Sequence, residues 1–325
     1  MSDPSSGSSA EPASPPITGA TRLAGLIGWP ARHSLSPTIL NAAFGAAGLD
    51  WVFLVFEVPP DEGAAAIAAT RALRLGGLSV TMPHKATVSA AVDERTPVAA
   101  ALHAVNCAFW SGDRLVGDNT DGAGFLDSLR LDEGIDVAGR RCVVVGAGGA
   151  GRAVVRALAD GGAAEIAVIN RSAERAAAAV ALGGPCARLG RPDDVARADL
   201  VVNATPLGMG IAPDAPGAAP LPVDPELLRS GQVVVDLVYH PLTTPLLAVA
   251  TSRGARSVNG LGMLVHQAAH AFRRWTDHEP PLQVMAQAAR AELDRRASAA
   301  SRSVVGSSHG STGVHRAMQP DGKDA

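Results

Sequence analysis

Lysine is almost absent from this sequence: Lys85 and Lys323 are the only two among 325 residues, and Lys323 lies in a polar tail. The formal net charge is −3. The chain therefore lacks the basic excess that holds nucleic acid by its phosphates. It also has no apolar run approaching the roughly 20 residues that a membrane helix needs. These shortages argue against nucleic-acid and membrane partners.

Cysteine is scarce as well. Cys107, Cys142 and Cys186 are odd in number and far apart, which excludes a disulfide framework and a CxxC metal site. Their pattern is typical of a reducing compartment, and we expect the cytoplasm. His266 and His270 are spaced like a metal pair, but no HExxH pattern or third ligand accompanies them, so we expect no metal.

The one lysine outside the tail follows the strand-like run Leu78–Met82 and Pro83. Arginine, which fills nearly all other cationic positions, does not give up a proton at workable pH. A lysine amine does so once its surroundings lower its pKa. Lys85 is therefore a candidate for proton transfer, and the alternative is a solvated lysine on a first helical turn.

The chain is 47% hydrophobic and 18% charged, which is ordinary for a globular protein long enough for two domains. Short apolar strands alternate with Ala-rich helical segments, which predicts parallel α/β units. Residues 1–20 and the stretch from Ser298 onward are rich in Ser and Gly, and we predict that both are disordered tails.

Two loops of the first half carry polar candidates. Ser34 and Ser36 follow the strand-like run Leu23–Gly28, where ligands bind in open α/β sheets. They predict hydroxyls for a small acid or polyol, although helix capping by Ser36 is an alternative. Asp121 precedes an amphipathic helix and is a candidate either for catalysis or for the N-cap.

The second half opens with the apolar strand Arg141–Val145 and then Gly146, Gly148 and Gly151 in a G-x-G-x-x-G pattern that leads into a helix. Glycines at this spacing let the backbone approach a pyrophosphate at the helix N-terminus. This context predicts a dinucleotide site.

The next strand, Glu165–Ile169, ends at Asn170, where an NAD-specific site usually carries an acid. Arg171, Ser172 and Arg175 follow instead, and they suit the extra phosphate of NADP. The alternative is a capped surface helix with solvated arginines.

At this point the sequence resembles the shikimate dehydrogenase family. The matching segments occur in the family's order, from about Leu23 to Arg296: HSLSP, SVTMPHK, AVN, GDNTDGAGF, GAGGAGRA, NRSAER, NATPLGM, DLVYHPLTTPLL and NGLGMLVHQAAHAF. The resemblance implies an α/β fold of two domains. These are a substrate-binding domain over residues 21–121, completed by residues 261–297, and a Rossmann-like NADP-binding domain over residues 122–260.

The resemblance also implies the reaction, the NADP-dependent reversible reduction of 3-dehydroshikimate to shikimate on the route to chorismate. Lys85 and Asp121 would be the catalytic pair. The residues implied to contact the substrate are Ser34, Ser36, Thr81, Lys85, Asn106, Asp121, Tyr239 and Gln267. Those implied to contact the cofactor are Gly146, Ala147, Gly148, Gly149, Ala150, Asn170, Arg171, Ser172, Arg175, Thr205, Leu237, Gly260 and Met263.

Four positions depart from the family pattern: Trp29, Leu40, His103 and Cys107. All lie in the substrate domain, so quinate or another cyclohexane polyol acid stays open as an alternative substrate. A non-catalytic NADP or metabolite sensor is the rival from another class, and the presence of both Lys85 and Asp121 argues against it. We expect a monomer or a homodimer.

Overall fold

The computed structural model describes residues 16–212 and 220–307. Two six-stranded sheets divide the chain, and the predicted α/β fold is confirmed. Residues 1–15 and 308–325, on which most of the predicted disordered tails fall, lie outside the described residues. No helix in the described ranges is long and apolar enough to cross a membrane.

The strands of the first sheet lie in the first 118 residues and are β1 (Arg22–Gly28), β2 (Trp51–Glu57), β3 (Gly77–Val80), β4 (Glu94–Arg95), β5 (Cys107–Ser111) and β6 (Arg114–Asp118). Those of the second sheet are β7 (Arg141–Val145), β8 (Glu165–Ile169), β9 (Ala187–Leu189), β10 (Leu200–Asn203), β11 (Val233–Asp236) and β12 (Arg256–Asn259).

Eleven α-helices connect or cover these strands in the described part of the chain. The first five are α1 (Ser36–Ala46), α2 (Gly63–Ala72), α3 (Lys85–Ala91), α4 (Pro97–Leu102) and α5 (Asp121–Asp127), which continues into a π-helical turn (Ser128–Asp132). The others are α6 (Gly149–Asp160), α7 (Ala173–Gly183), α8 (Asp194–Arg197), α9 (Pro245–Ser252), α10 (Leu261–Thr276) and α11 (Leu282–Ser307).

The first sheet has the order β2-β1-β3-β5-β6-β4. β1 runs parallel to β2 and β3, whereas β5 is antiparallel to both β3 and β6. The β5–β6 hairpin therefore returns the chain to the edge at which β3 ends. The residues after β3, before β5 and after β6 meet at that edge, and Val80 N–H donates to the Asn106 carbonyl at 2.7 Å.

The second sheet is parallel throughout, in the order β12-β11-β10-β7-β8-β9. Its central strands are Val-rich and buried on both faces, as parallel strands covered by helices must be. The strand order reverses direction at β7, where a doubly wound sheet opens a crevice for a dinucleotide. The loops after all six strands emerge at the same carboxyl edge.

Helices α5 and α10 pack against each other between the two sheets, and glycines bring them close. A Cβ atom at Gly124 would lie 2.6 Å from the Gln267 backbone nitrogen, and one at Gly122 would lie 3.0 Å from the Ala153 carbonyl oxygen of α6. His266 and His270 of α10 bind Asp132 (3.1 Å) and Asp127 (2.7 Å). The two histidines therefore have structural partners on the facing helix.

Several predicted boundaries are wrong. The N-cap of α1 is Leu35 rather than Ser36, and that of α5 is Thr120 rather than Asp121, and neither cap has a side-chain hydrogen bond. Disorder was predicted from Ser298 onward, but helix α11 continues to Ser307. The short strands β4, β9 and β12 were not predicted, because two, three and four residues carry too little periodicity.

A buried carboxylate organises the edge of the second sheet. Asp236, the last residue of β11, has no solvent exposure. It accepts hydrogen bonds from Asn203 Nδ2 (2.9 Å), Thr244 Oγ1 (2.6 Å) and Val238 N–H (3.1 Å). One side chain therefore fixes the ends of β10 and β11 and the start of α9, and with them the loop that carries Tyr239.

The glycine loop offers a test of the fold. A Cβ atom at Gly151 would lie 2.0 Å from the Gly146 carbonyl oxygen, whereas one at Gly149 would meet nothing within 4 Å. We expect Gly151→Ala to lower the free energy of unfolding by about 1–3 kcal/mol, because backbone must move. Gly149→Ala, the control, should leave urea unfolding almost unchanged. Equal midpoints for the two variants would contradict the close approach.

The buried Asp236 predicts a pH dependence of stability. Burial raises the pKa of Asp236, and the hydrogen bonds from Thr244, Val238 and Asn203 oppose the rise. The folded chain thus holds this proton more tightly than the unfolded chain, so its contribution to stability falls as pH rises from the unfolded to the folded pKa. Asp236→Asn lacks this loss, and its free energy of unfolding relative to the unaltered chain should increase between about pH 4 and pH 7.

Asp199 supplies the opposite control, because its hydrogen bonds with Arg141 lower the pKa of Asp199. A lowered pKa contributes stability that is present at neutral pH and lost in acid. Asp199→Asn should therefore lie below the unaltered chain by a nearly constant amount from pH 7 down to about pH 4, and the difference should shrink in stronger acid. Urea unfolding at about pH 3, 4 and 7 measures both trends, and a pH-independent difference for Asp236→Asn would contradict the first.

Candidate active site

Lys85 and Asp121 form an ion pair, with Lys85 Nζ 2.5 Å from Asp121 Oδ2. Their side chains are 20% and 10% exposed, so the pair is largely withdrawn from water. Lys85 begins α3 just after β3, and Asp121 begins α5 just after β6, so the sheet brings them together. The alternatives of a solvated lysine and a capping aspartate do not hold, because each side chain is engaged by the other.

Asn106 fixes the second oxygen of this carboxylate. Its Nδ2 donates to Asp121 Oδ1 at 2.7 Å and lies 3.0 Å from Thr120 Oγ1, and its Oδ1 accepts from Thr120 N–H at 2.8 Å. All three residues are buried. The amide thus holds Asp121 in one orientation and leaves its other oxygen for the lysine amine. This arrangement presents a single ammonium at a fixed place.

Thr81 lies between β3 and α3, four residues before Lys85. Its N–H donates to the Ile27 carbonyl at 3.0 Å. A Cβ atom at Gly28 would lie 2.3 Å from its methyl carbon, so the end of β1 must be glycine for Thr81 to fit. Its hydroxyl makes no hydrogen bond within the described part of the chain, which leaves it available to a ligand.

Ser34 and Ser36 point at each other, with their Oγ atoms 3.1 Å apart, and Ser34 Oγ also accepts from Ser36 N–H at 3.1 Å. Both lie where the loop after β1 enters α1, and the first turn of this helix has no side-chain cap. The free N–H groups of such a turn favour an anion. The serine pair therefore fits a carboxylate better than a capping role.

Tyr239 and Gln267 come from outside the first sheet. Tyr239 lies in the loop after β11, and Gln267 lies on α10. Tyr239 packs against the core formed by α1, α10 and α11, and burial raises the pKa of its phenol. The Gln267 side chain donates from Nε2 to the Leu264 carbonyl at 2.8 Å, and the Gln267 backbone carbonyl accepts from Thr120 Oγ1 at 3.1 Å. Gln267 is therefore tied through Thr120 to the residues around Asp121.

The glycine loop after β7 fits a pyrophosphate. Helix α6 begins at Gly149 with Gly148 as its N-cap, and no side chain caps it. Cβ atoms at Gly148 and Gly149 would meet nothing within 4 Å, so the approach to the backbone is open there. Gly146, at φ +106°, makes the turn that only glycine adopts readily. The free N–H groups of the loop and of Ala150 are suited to phosphate oxygens.

The loop after β8 lies beside it. Asn170 Oδ1 accepts from Ala147 N–H at 3.1 Å, which joins the two loops. Ser172 caps α7 by accepting from Arg175 N–H at 3.3 Å. Arg171 and Arg175 are exposed, and neither guanidinium has a hydrogen bond or ion pair among residues 16–212 and 220–307. Two unpaired cations beside the glycine loop suit a phosphate monoester.

The remaining cofactor candidates follow β10, β11 and β12. Thr205 donates from Oγ1 to Asn203 Oδ1 at 2.7 Å. A Cβ atom at Gly260 would lie 2.1 Å from the Leu237 carbonyl oxygen, so these loops touch backbone to backbone. Leu237 and Met263 are partly buried and pack against the hydrophobic core that contains Cys142 and Val144 of β7. Both therefore offer apolar surface where these loops meet the core.

The structure joins Lys85, Asp121, Asn106 and Gln267 into one hydrogen-bonded group through Thr120. The serine pair is a separate group, and no hydrogen bond links it to the first within the described ranges. The sequence did not point to the network of Asn203, Asp236 and Thr244, although a lone carboxylate ending an apolar strand (VVVD) is a signal that buried partners are needed. Arg296, which binds the His33 carbonyl, was also missed.

Three family models match the chain. The shikimate dehydrogenase substrate-binding domain matches residues 26–108, the shikimate/quinate 5-dehydrogenase model matches residues 130–206, and the shikimate 5'-dehydrogenase C-terminal domain matches residues 260–290. Among curated proteins, the shikimate dehydrogenase (NADP(+)) of Geobacter metallireducens is 44% identical over 290 residues, which are 86% of this chain and 99% of that protein.

Solved structures agree in fold. A crystal structure of shikimate dehydrogenase in complex with NADP+ superposes with a TM-score of 0.80 at 37% identity, over 87% of this chain and 99% of that one. The quinate dehydrogenase of Corynebacterium glutamicum in complex with NAD superposes with a TM-score of 0.74 at 31% identity, over 82% and 98%. With this agreement across its length, the chain belongs to the shikimate dehydrogenase family.

Proposed function

We propose that this protein is an NADP-dependent shikimate dehydrogenase that reversibly reduces 3-dehydroshikimate to shikimate. The observation that carries the proposal is the ion pair of Lys85 and Asp121, held by Asn106 at the carboxyl edge of the first sheet. Relatives named for this NADP-dependent activity match nearly the whole described chain, which supports the same substrate and cofactor here.

The chemistry needs a proton at the substrate's carbonyl oxygen. NADPH, when bound, supplies the hydride, and the oxygen becomes an alkoxide unless a group beside it donates a proton. Lys85 is suited to this role because its ammonium is fixed in place and mostly shielded from water. Asp121 orients the amine, and Asn106 keeps that carboxylate from turning away. In oxidation the same amine takes the proton back.

The other groups position the two ligands. The serine pair Ser34 and Ser36 binds the substrate carboxylate, while Thr81, Tyr239 and Gln267 surround its ring hydroxyls. The glycine loop holds the pyrophosphate. Asn170, Arg171, Ser172 and Arg175 hold the adenosine phosphate, and the residues that line the ribose and nicotinamide are Thr205, Leu237, Gly260 and Met263.

The alternative substrate is quinate, because a quinate dehydrogenase is among the matched structures. That structure is in complex with NAD, whereas this chain has Asn170 in place of the usual acid and two unpaired arginines beside it. The cofactor end therefore favours NADP. A panel of shikimate, quinate and related polyol acids, read by the absorbance of reduced nicotinamide, identifies the substrate. No turnover of any of them would favour a metabolite sensor.

We further propose the division of the chain into a substrate domain (residues 21–121 with 261–297) and a cofactor domain (residues 122–260). The two sheets fall on either side of that division. We propose a cytoplasmic location, supported by the few, widely separated cysteines. A monomer or a homodimer is our expectation for the assembly.

The role of Lys85 predicts that two substitutions lower turnover without weakening cofactor binding. Lys85→Ala should lower kcat by about 10²–10⁴-fold, the range that general acid–base groups supply. Lys85→Arg keeps the charge but cannot release the proton, so it should lose nearly as much. The dissociation constant of NADP, measured by calorimetry, should stay within about twofold for both, because the lysine lies in the other lobe. Near-normal turnover of Lys85→Arg would remove proton transfer from the mechanism.

The role of Arg171 predicts a change in cofactor preference. Arg171→Ala should raise the KM for NADP by about 10- to 100-fold, the loss expected for one charge-assisted hydrogen bond. The KM for NAD, which lacks the phosphate, should change little. Arg95→Ala is the control, since Arg95 is exposed on β4 of the other sheet. An equal loss for both nucleotides would show that Arg171 does not bind the phosphate.

A further inference from the structure

The serine pair supplies no positive charge to the carboxylate of the proposed substrate. Ser34 and Ser36 are neutral, and the cation of the site, Lys85, is engaged by Asp121. A carboxylate taken from water into such a loop loses its hydration and needs either charge or several donors in return. A positive group near the serine loop would supply what these hydroxyls lack.

Arg296 is such a group. It lies on α11, which packs against α1, and its Nη1 donates to the His33 carbonyl at 2.7 Å. His33 directly precedes Ser34, so the arginine holds the loop at the residue next to the serine pair. Its side chain is 30% exposed, and its Nη2 makes no hydrogen bond with any described residue. The guanidinium therefore has donors to spare beside the serine loop.

The carboxylate that binds Arg296 is shared with a second arginine. Glu292 Oε1 accepts from Arg296 Nε at 2.6 Å, but the same carboxylate also binds Arg295, at 2.8 and 2.7 Å. The hydrogen bonds of Arg295 and Arg296 lower the pKa of Glu292 to about 2, so it is ionised at neutral pH. Two cations share this one carboxylate, so Glu292 is not a dedicated counter-ion of Arg296.

The field of Arg296 also reaches Tyr239. Burial raises the pKa of the Tyr239 phenol, and the positive charge of Arg296 opposes that rise. Tyr239 comes from the loop after β11, and Ser34 from the loop after β1. One guanidinium therefore binds the residue before Ser34 and lies close enough to Tyr239 for its charge to act on the phenol.

We infer that Arg296 is a positioning and specificity-determining residue for the carboxylate of the substrate. It holds the His33 carbonyl so that Ser34 and Ser36 present their hydroxyls, and it supplies the positive charge that this end of the site otherwise lacks. The inference rests on the proposed function and names the group that makes the site select acids over neutral ring polyols.

The neighbouring Arg295 is a matched control, because it binds the same carboxylate but has no bond to the serine loop. Arg296→Gln should raise the KM for shikimate by about tenfold, as the loss of one charge-assisted contact does, with kcat and the KM for NADP little changed. Arg295→Gln should leave all three constants within about twofold. Arg296→Lys keeps the charge and should recover most of the loss. Thermal unfolding of each variant separates these effects from loss of folding.

The methyl ester of shikimate separates charge from shape. The unaltered protein should prefer the acid to the ester, and Arg296→Gln should reduce that preference by about tenfold. A folded Arg296→Gln variant that keeps the preference, or that matches Arg295→Gln, would overturn the inference. If the unaltered chain turns over quinate instead, the proposed substrate is wrong, and the same comparison is made with quinate. If it turns over neither acid, calorimetric titration of shikimate into the three proteins decides, and an absence of binding to the unaltered chain overturns both.

Discussion

The contact between Lys85 and Asp121 depends on β5, the antiparallel strand in the otherwise parallel first sheet. β3 delivers the lysine to the sheet edge, and the hairpin of β5 and β6 brings the chain back to the same edge 36 residues later. Pairing two charges out of water is favourable only when their remaining hydrogen-bonding groups are satisfied. Asn106 meets that requirement for the carboxylate, since it occupies the oxygen that the amine leaves.

The second sheet also has a buried carboxylate held by hydrogen bonds, but its partners are of a different kind. Asp236 is buried without a cation, so its negative charge is stabilised by three hydrogen-bond donors from three segments. The parallel sheet gathers those segments because every strand ends at one edge. The loops assigned to the nicotinamide and to Tyr239 are thus fixed from below by a residue that itself touches no ligand. Close backbone contacts, of Gly260 with Leu237 and of Gly124 with Gln267, then set the position of α10.

Much of this arrangement could be predicted from the sequence, and the predictions that were wrong have physical reasons. Strands β7, β8, β10 and β11 of the second sheet were predictable because buried parallel strands are short apolar runs, and the glycine loop because its turn demands glycine. The sequence left capping open for Ser36 and Asp121, because a polar residue before a helix has the same local pattern whether it caps or binds elsewhere. Asp121 reaches across the sheet to Lys85, and local sequence does not encode that choice.

Other features depend on distant packing and have no local signal. The extension of α11 to Ser307 contradicts a Ser-rich composition that favours disorder. Arg296 looks like one of many surface arginines until the helix is seen to lie against α1 and the loop of His33. Asp236 was also missed, but it does have a local signal, because an acid at the end of a run of valines needs hydrogen-bond partners when it is buried. Long-range contacts of this kind decide which polar residues belong to a site.

The scarcity of lysine gives the ion pair a further consequence. Acylating and aldehyde reagents react with free amines and pass over guanidinium groups. In this chain the side-chain amines available to them are those of Lys85 and Lys323. Within residues 16–212 and 220–307 the only lysine is Lys85, so an acylated side-chain amine found in a peptide from those residues identifies the residue assigned to proton transfer without further sorting of sites.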